Sequence, residues 1–326
     1  MKKIRPLLII LCIMTVFLTG CSRNATPISK SGIYFDTIIT ITVYNDDHMF
    51  LLDECFSLAE KYENLFSKTV ETSDIYKINH SNGNATVVDS ETIYLLEKAL
   101  SYADMTNGAI DPTILPLSDL WNFGENNKVP SSKDITSSLS YVGYKNVVID
   151  KDASTVTLTN ANAGIDLGFI AKGYIADKMK EYLVSNGVES ALINLGGNVL
   201  TIGNKPDGSP YVLGIQEPFS NGQSSIPNVS IRDKSLVTSG VYERYFYEDD
   251  LLYHHILNTK TGYPIDNNLW GVTILSDSSM EGDAYSTICL CLGLEEGMSL
   301  IEKTDGLEAL FITNDMELHY SSGFPK

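Results

Sequence analysis

The chain has 326 residues, 43% of them apolar and 20% charged, with a formal net charge of −18 and five cysteines. A surface that negative repels phosphate backbones and anionic headgroups, which excludes nucleic acid as a partner. Any anionic ligand must be met by a local device: a metal, a helix N-terminus or a few placed cations.

Lys2, Lys3 and Arg5 precede an apolar run from Leu7 to Leu18, too short to span a bilayer comfortably and typical of a signal-peptide core. The run ends in "LTGC", Leu18 to Cys21, which resembles the bacterial lipoprotein processing box; the alternative is an ordinary signal peptide with an incidental cysteine. The expectation is a signal over residues 1–20, lipidation at Cys21, a polar tether over 21–31 and one folded domain over 32–326. The protein would then sit on the cell membrane through its lipid anchor, facing the extracytoplasmic side. Removing Lys2, Lys3 and Arg5 takes the charge from −18 to −21. Cys55, Cys289 and Cys291 remain beside Cys12 of the signal and Cys21. An odd count inside apolar stretches predicts buried thiols and no disulfide framework.

Tyr34 to Tyr44, alternating and β-branched, predicts one strand. Met49 to Phe66 has helical spacing, residues 73–90 form a polar loop, and Ser90 to Thr106 is a second helix. "GAIDPTILPLSDLWNFG" is too apolar for a solvent loop, and a linker is expected over Gly124 to Ser132. Val147 to Ile149 and Thr155 to Leu158 predict a hairpin around "DKDAS". After "GIDLGFIAKGYIAD" a helix runs to about Gly187, followed by a strand, Ser190 to Leu195, then "GGN" and another strand. Tyr211 to Gln216, Val229 to Ile231, Leu236 to Thr238, Val241 to Tyr247, "LLYHHILN" and "WGVTILS" continue the strands. The chain closes with a helix at Asp283, another near Glu295 to Thr304 and a hairpin including Ala309 to Ile312. Strands and helices mix without strict alternation, which favours an α+β fold over a doubly wound sheet.

Three stretches carry candidate chemistry. "GDAYSTICLCLG", residues 282–293, puts Asp283, Ser286 and Thr287 within one turn at the start of an apolar helix. Asp283 could cap that helix, or share one helix face with Thr287 as a hard-metal site. In "GIDLGFIAKGYIADKMKEYL", Gly168 and Gly173 bracket a strand-to-helix turn where free N–H groups and Lys172 suit a phosphate; a plain tight turn with a solvated lysine is the other reading. In "YHHILNTKTGYP", neighbours on a strand point to opposite faces, so His254 and His255 cannot both look inward and one is a surface residue.

Taken in order, "FDTIITI", "GAIDPTILPLSDLWNFG", "DLGFIAKGYIAD", "INLGGNV", "TSGVYERYF", "HHILNTKTGYP" and "DAYST" resemble the ApbE family, the FAD:protein FMN transferases, over residues 33–326. The resemblance implies a mixed, mostly antiparallel β-sheet core with flanking helices, T-fold-like. It implies FAD as substrate and Mg²⁺ or Mn²⁺ held by Asp283, Thr287 and the carbonyl of Ala171, with Ser286 adjacent. It makes His255 the histidine that assists the attacking hydroxyl, with His254 facing away, and lets Lys172 or the nearby helix N-terminus stabilise phosphate charge. The dinucleotide would lie along Phe35, Asp36 and Thr37, along Ala109, Ile110 and Asp111, along Gly168, Lys172 and Tyr174, and against Ile256. The first motif often has Met where this chain has Phe35. Asp111 is expected to accept from an adenine amino group or ribose hydroxyl, unless "DPT" is only a turn.

The implied targets are flavoproteins accepting FMN on a Ser/Thr-Gly-Ala-Thr-like motif, which this chain lacks, so modification is in trans. The rivals are a metal-dependent pyrophosphatase giving FMN and AMP from FAD, and a non-catalytic FAD-binding lipoprotein. A solute-binding lipoprotein of two α/β lobes fits the strand-rich second half poorly.

Overall fold

The computed structural model describes residues 26–44, 49–125, 127–220 and 224–325. The predicted signal and Cys21 lie outside these residues. The tether prediction ends early, because residues 28–31 already belong to the first strand.

One eight-stranded sheet organises the chain. β1 (Ile28–Tyr34) and β2 (Thr37–Val43) form a hairpin where one long strand was expected. The break is at Phe35 and Asp36, both at positive φ (52° and 55°), the backbone of a tight hairpin turn. β2 pairs with β6 (Ser190–Leu195), which returns through Gly196 and Gly197 into β7 (Asn198–Gly203). β10 (Ser235–Gly240), β13 (Leu269–Ser276), β14 (Glu308–Thr313) and β15 (Leu318–Tyr320) complete the sheet in the order β1-β2-β6-β7-β10-β13-β14-β15, all antiparallel. The fold is therefore α+β with a mostly antiparallel core and flanking helices, as expected.

Alternation in β2 sends Ile39, Ile41 and Val43 into a helical layer. That layer holds α1 (Met49–Phe66), α2 (Asp74–Asn79), α3 (Ser90–Met105), α6 (Ala171–Ser185), α7 (Ser279–Leu292) and α8 (Leu294–Ile301). The opposite face is covered by the hairpin of β8 (Tyr211–Gln216) and β9 (Ser225–Ile231), through Tyr211, Ile215, Val229 and Ile231. With cover on both faces, β13 is buried at seven of eight positions and reads as a continuous apolar run.

α2 occupies part of the predicted polar loop, capped by Ser73, whose Oγ accepts the Tyr76 N–H at 3.0 Å. The rest includes β3 (Thr86–Val87), which joins β5 (Thr155–Leu158) and β4 (Val147–Asp150) in a small sheet. The expected linker is no domain boundary. It joins α4 (Leu115–Trp121) to α5 (Ser132–Leu139), and a separate core of Leu117, Trp121, Ile135, Phe246 and Leu257 packs across it. Trp121 Nε1 donates to the Gly262 carbonyl at 2.8 Å, 141 residues away. Phe246 belongs to β11 (Tyr245–Glu248), which pairs with β12 (Leu251–His254); both are shorter than predicted because residues 241–244 turn and β12 ends at His254. Cys55 and Cys289 are buried free thiols, and Cys291 is half-buried.

Candidate active site

Two helix beginnings meet back to back. α6 starts where Leu167 offers its carbonyl to both Ile170 N (3.0 Å) and Ala171 N (2.9 Å). α7 starts at Ser279 and is capped by Ser278, whose Oγ accepts the Glu281 N–H at 3.3 Å. Asp283 therefore lies a full turn inside its helix and does not cap it. Its Oδ2 instead accepts the N–H of Gly173 on α6 at 2.9 Å. Glycine is required there because a Cβ would sit 2.2 Å from the Ser279 carbonyl oxygen, so the two backbones touch directly.

Asp283 is 3% exposed and its second oxygen lies 3.3 Å from Lys172 Nζ, which also donates to the Gly168 carbonyl at 3.1 Å. Around it stand neutral oxygens. Ser286 Oγ donates to the Asp283 carbonyl at 2.9 Å, and Ser239 Oγ from β10 lies 2.8 Å from Ser286 Oγ and 2.9 Å from Thr287 Oγ1. The Gly173 N–H would ordinarily reach back four residues to the Phe169 carbonyl. Its diversion to Asp283 leaves that carbonyl with no hydrogen bond among the described residues. Ala171, the expected carbonyl donor, opens α6, and its carbonyl is taken up inside the helix. Phe169 offers an open main-chain oxygen in this loop, while the Ala171 carbonyl keeps a second lone pair beyond its helical bond.

A buried carboxylate and three hydroxyls, beside a loop that carries an open carbonyl, are hard oxygen donors of the kind that suit Mg²⁺ or Mn²⁺. No cluster of three His, Cys, Asp or Glu side chains occurs among the described residues, so a cation here would rest on one carboxylate and neutral oxygens.

His255 follows β12. Its N–H donates to the Arg244 carbonyl at 3.1 Å, and Nδ1 lies 3.3 Å from the same oxygen. A carbonyl only accepts, so the proton belongs on Nδ1 and Nε2 carries the free lone pair. Burial, then the charge of Arg244, hold the imidazole down to about 3, with Lys172 adding to the effect. His254 corrects the expectation of a surface residue: it is 5% exposed and its Nε2 lies 3.1 Å from the Ile265 carbonyl. The alternation of the strand holds, but the turn that brings Ile265 back to Ile256 covers the face toward which His254 points. Burial pushes His254 down to about 4.

The other predicted contacts divide. Phe35 is half-buried, with its N–H on Glu63 Oε1 at 2.7 Å, Asp36 is exposed, and Thr37 lies against Gly196. Thr259 Oγ1 donates to the Gly108 carbonyl, which ties the chain just before Ala109 and Ile110 to the turn after β12. Asp111 is 5% exposed and spent internally, accepting Thr113 N and Oγ1 and Tyr144 N, so "DPT" is a turn that also pins Tyr144. Tyr174 is 6% exposed among Tyr62 and Phe66, with its hydroxyl on Glu91, which makes it a core residue.

A model of the ApbE family matches residues 35–311. The chain belongs to the ApbE family. Among its relatives is a FAD:protein FMN transferase of Klebsiella pneumoniae, 36% identical over 296 residues, covering 90% of this chain and 92% of the relative. Another FAD:protein FMN transferase, from Treponema pallidum, is 32% identical, covering 97% of this chain and 92% of the relative. The crystal structure of an ApbE protein from Thermotoga maritima superimposes with a TM-score of 0.84 at 31% identity, covering 92% of this chain and 100% of that one. A flavin transferase ApbE from Vibrio cholerae gives a TM-score of 0.82 at 28% identity, covering 92% and 98%.

This ApbE-family chain also gathers residues that its sequence did not single out. Lys68 Nζ sits 2.9 Å from Asp166 Oδ2 and 3.6 Å from Asp119, while Asp166 Oδ1 accepts the Gly168 N–H at 2.8 Å. Burial would raise the Asp166 carboxyl, but Lys68 and this N–H hold it below its usual range. Arg244 is exposed and has no ion pair among the described residues. Lys68 is thus neutralised by Asp166 and Asp119 and Lys172 by Asp283, which leaves Arg244 as the one of these three cations without an acidic partner among the described residues. Asp166 stands in a quoted motif, but Lys68 is 98 residues from it, and no local pattern could reveal the pair.

Proposed function

We propose that this chain is an FAD:protein FMN transferase, attaching the FMN part of FAD to a Ser or Thr hydroxyl of a target flavoprotein and releasing AMP. The observation that carries the reading is the corner where Asp283, held by Gly173 N–H and Lys172, shares one turn of α7 with Ser286 and Thr287, whose hydroxyls meet that of Ser239.

A divalent cation bound there supplies charge neutralisation for a pyrophosphate, the main requirement of phosphoryl transfer. Asp283, Thr287 and a main-chain carbonyl from the start of α6, that of Ala171 or Phe169, would hold it, with Ser286 and Ser239 fixing the hydroxyl orientations. Lys172 orients the phosphates through its ammonium and its main-chain N–H, which has no partner among the described residues. Arg244, which has no ion pair among the described residues, adds a positive charge beside His255. His255 Nε2 takes the proton of the acceptor hydroxyl as its oxygen bonds to the FMN phosphorus and the bond to the AMP oxygen breaks. A depressed imidazole stays unprotonated near neutral pH, ready to accept. We extend the proposal to an extracytoplasmic enzyme tethered through lipid on Cys21, acting in trans on proteins with a Ser/Thr-Gly-Ala-Thr-like motif.

The test is to incubate the protein with FAD, Mg²⁺ and such an acceptor, and follow acceptor mass, in-gel flavin fluorescence and AMP. Flavin-labelled acceptor with matching AMP supports transfer. Equal AMP without acceptor would make the protein a pyrophosphatase, and stoichiometric FAD binding without AMP a flavin carrier.

A further inference from the structure

The contact between α6 and α7 is reciprocal. On α6, Gly173 is followed four residues later by Asp177; on α7, Ser279 is followed four residues later by Asp283. Gly173 gives its N–H to Asp283, and Ser279 gives its N–H to Asp177 Oδ1 at 2.8 Å. Asp177 Oδ2 also accepts the Met280 N–H at 3.0 Å and the Ser278 hydroxyl at 2.7 Å. Each helix thus places a carboxylate from its second turn on the first-turn amides of the other, with the backbones in contact between them.

The two carboxylates differ in use. Asp283 keeps one oxygen toward Lys172 with no α6 amide on it. Asp177 has both oxygens filled by donors from α7, so it acts only as a grip on the start of that helix. Asp283 and Thr287 ride on α7, whereas Ala171, Lys172 and Gly173 belong to the start of α6. Their spacing is therefore the spacing of the two helices, and the Asp177 grip fixes the offset of α7 along α6.

We infer that Asp177 is a positioning residue for the cation site, setting donor geometry through α7 without touching the ion or FAD. The inference rests on the proposed cation site, and its readout is chosen to be independent of transferase activity. In Asp177→Asn the side chain keeps its size, but one accepting oxygen becomes an NH₂ that faces the α7 donors.

The experiment is Mn²⁺ binding to the FAD-free protein by titration calorimetry or electron paramagnetic resonance, for wild type, Asp177→Asn, Ser278→Ala and Asp283→Ala. Removing a partner that orients a metal ligand typically weakens binding about 10- to 100-fold. Asp177→Asn is expected to bind Mn²⁺ about 10-fold more weakly, and Ser278→Ala, which loses one of three donors, a few-fold more weakly. The Mg²⁺ concentration for half-maximal AMP release should rise by the same factor in Asp177→Asn, with kcat recovered at saturating Mg²⁺. Unchanged Mn²⁺ affinity in Asp177→Asn, or in Ser278→Ala should the first variant not fold, overturns the inference even if melting temperature falls. A kcat loss that Mg²⁺ does not rescue overturns it as well. Asp283→Ala separates the two readings: if it binds Mn²⁺ as tightly as wild type, the cation site itself is refuted.

Discussion

Replacing Gly173 by alanine tests the helix contact with one methyl group. The added Cβ would stand 2.2 Å from the Ser279 oxygen and 2.6 Å from both the Ser279 carbonyl carbon and Met280 Cα. These are backbone atoms of α7, so no rotamer change relieves the clash. Ordinary contact begins at 3.4 Å, and α7 must retreat by about 1 Å. The stability terms partly cancel. Alanine is the better helix former by about 1 kcal/mol, while forcing an extra methyl into a packed contact costs about 1–3 kcal/mol. The net loss of about 0–2 kcal/mol lowers the melting temperature by only a few degrees in a protein of this size. Function has no such offset, because the 2.9 Å bond from Gly173 N–H to Asp283 opens beyond hydrogen-bond length. A misplacement of about 1 Å at reacting groups costs about 100-fold in rate. The expected signature is a large fall in AMP release and acceptor flavinylation with little change in the melting curve, measured by chromatography and scanning fluorimetry. Near-normal turnover in Gly173→Ala would refute the argument that this contact sets the site.

The remaining predictions follow from single groups. Asp283→Ala should abolish Mg²⁺-dependent turnover, and Thr287→Ala should weaken the Mg²⁺ dependence strongly; normal AMP release by both variants would exclude this corner as the cation site. His255→Ala should lower kcat more than it weakens FAD binding, which fluorescence quenching of FAD can separate from rate. His254→Ala, by contrast, should lower stability by about 1–3 kcal/mol, since it leaves the Ile265 carbonyl buried without its donor; chemical denaturation reads this directly. Burial holds His254 at about 4 against an ordinary 6.5, so the unfolded chain binds more protons between those values. Its contribution is full above pH 6.5 and falls by about 3 kcal/mol as pH drops through that window. A His254→Gln variant whose stability falls as steeply with pH as wild type would contradict this. Cys21→Ala should release the protein from membranes in fractionation, and retention would argue against the lipid anchor.

The pattern of the chain made most elements legible. Helical spacing found α1 and α3 nearly to the residue, and alternation found β6 and β8, because each buries one regular face. The errors fall where conformation depends on contacts elsewhere. The turn at Phe35 and Asp36 has no glycine or asparagine to announce it, and is held by Glu63 from α1. His254 could not be placed because strand alternation fixes which residues share a face, not which face is covered. Asp111 and Tyr174 have types suited to a ligand, yet beyond the local Thr113 contacts of Asp111 their partners lie 33 and 83 residues away.

By itself the sequence determined the fold class, the family and the residues able to bind a hard cation, since oxygen donors, glycines and helix starts are local chemical properties. Only the tertiary structure decided what those residues do. Asp283 caps α6 and not its own helix, the Gly173 N–H turns away from the Phe169 carbonyl, and Asp177 grips α7 from α6. The reason is physical: one bare glycine lets two helices touch, and from that contact their amides and carboxylates exchange partners 102 to 110 residues apart. Such pairings cost chain entropy that only the packed whole repays, so no short stretch could display them.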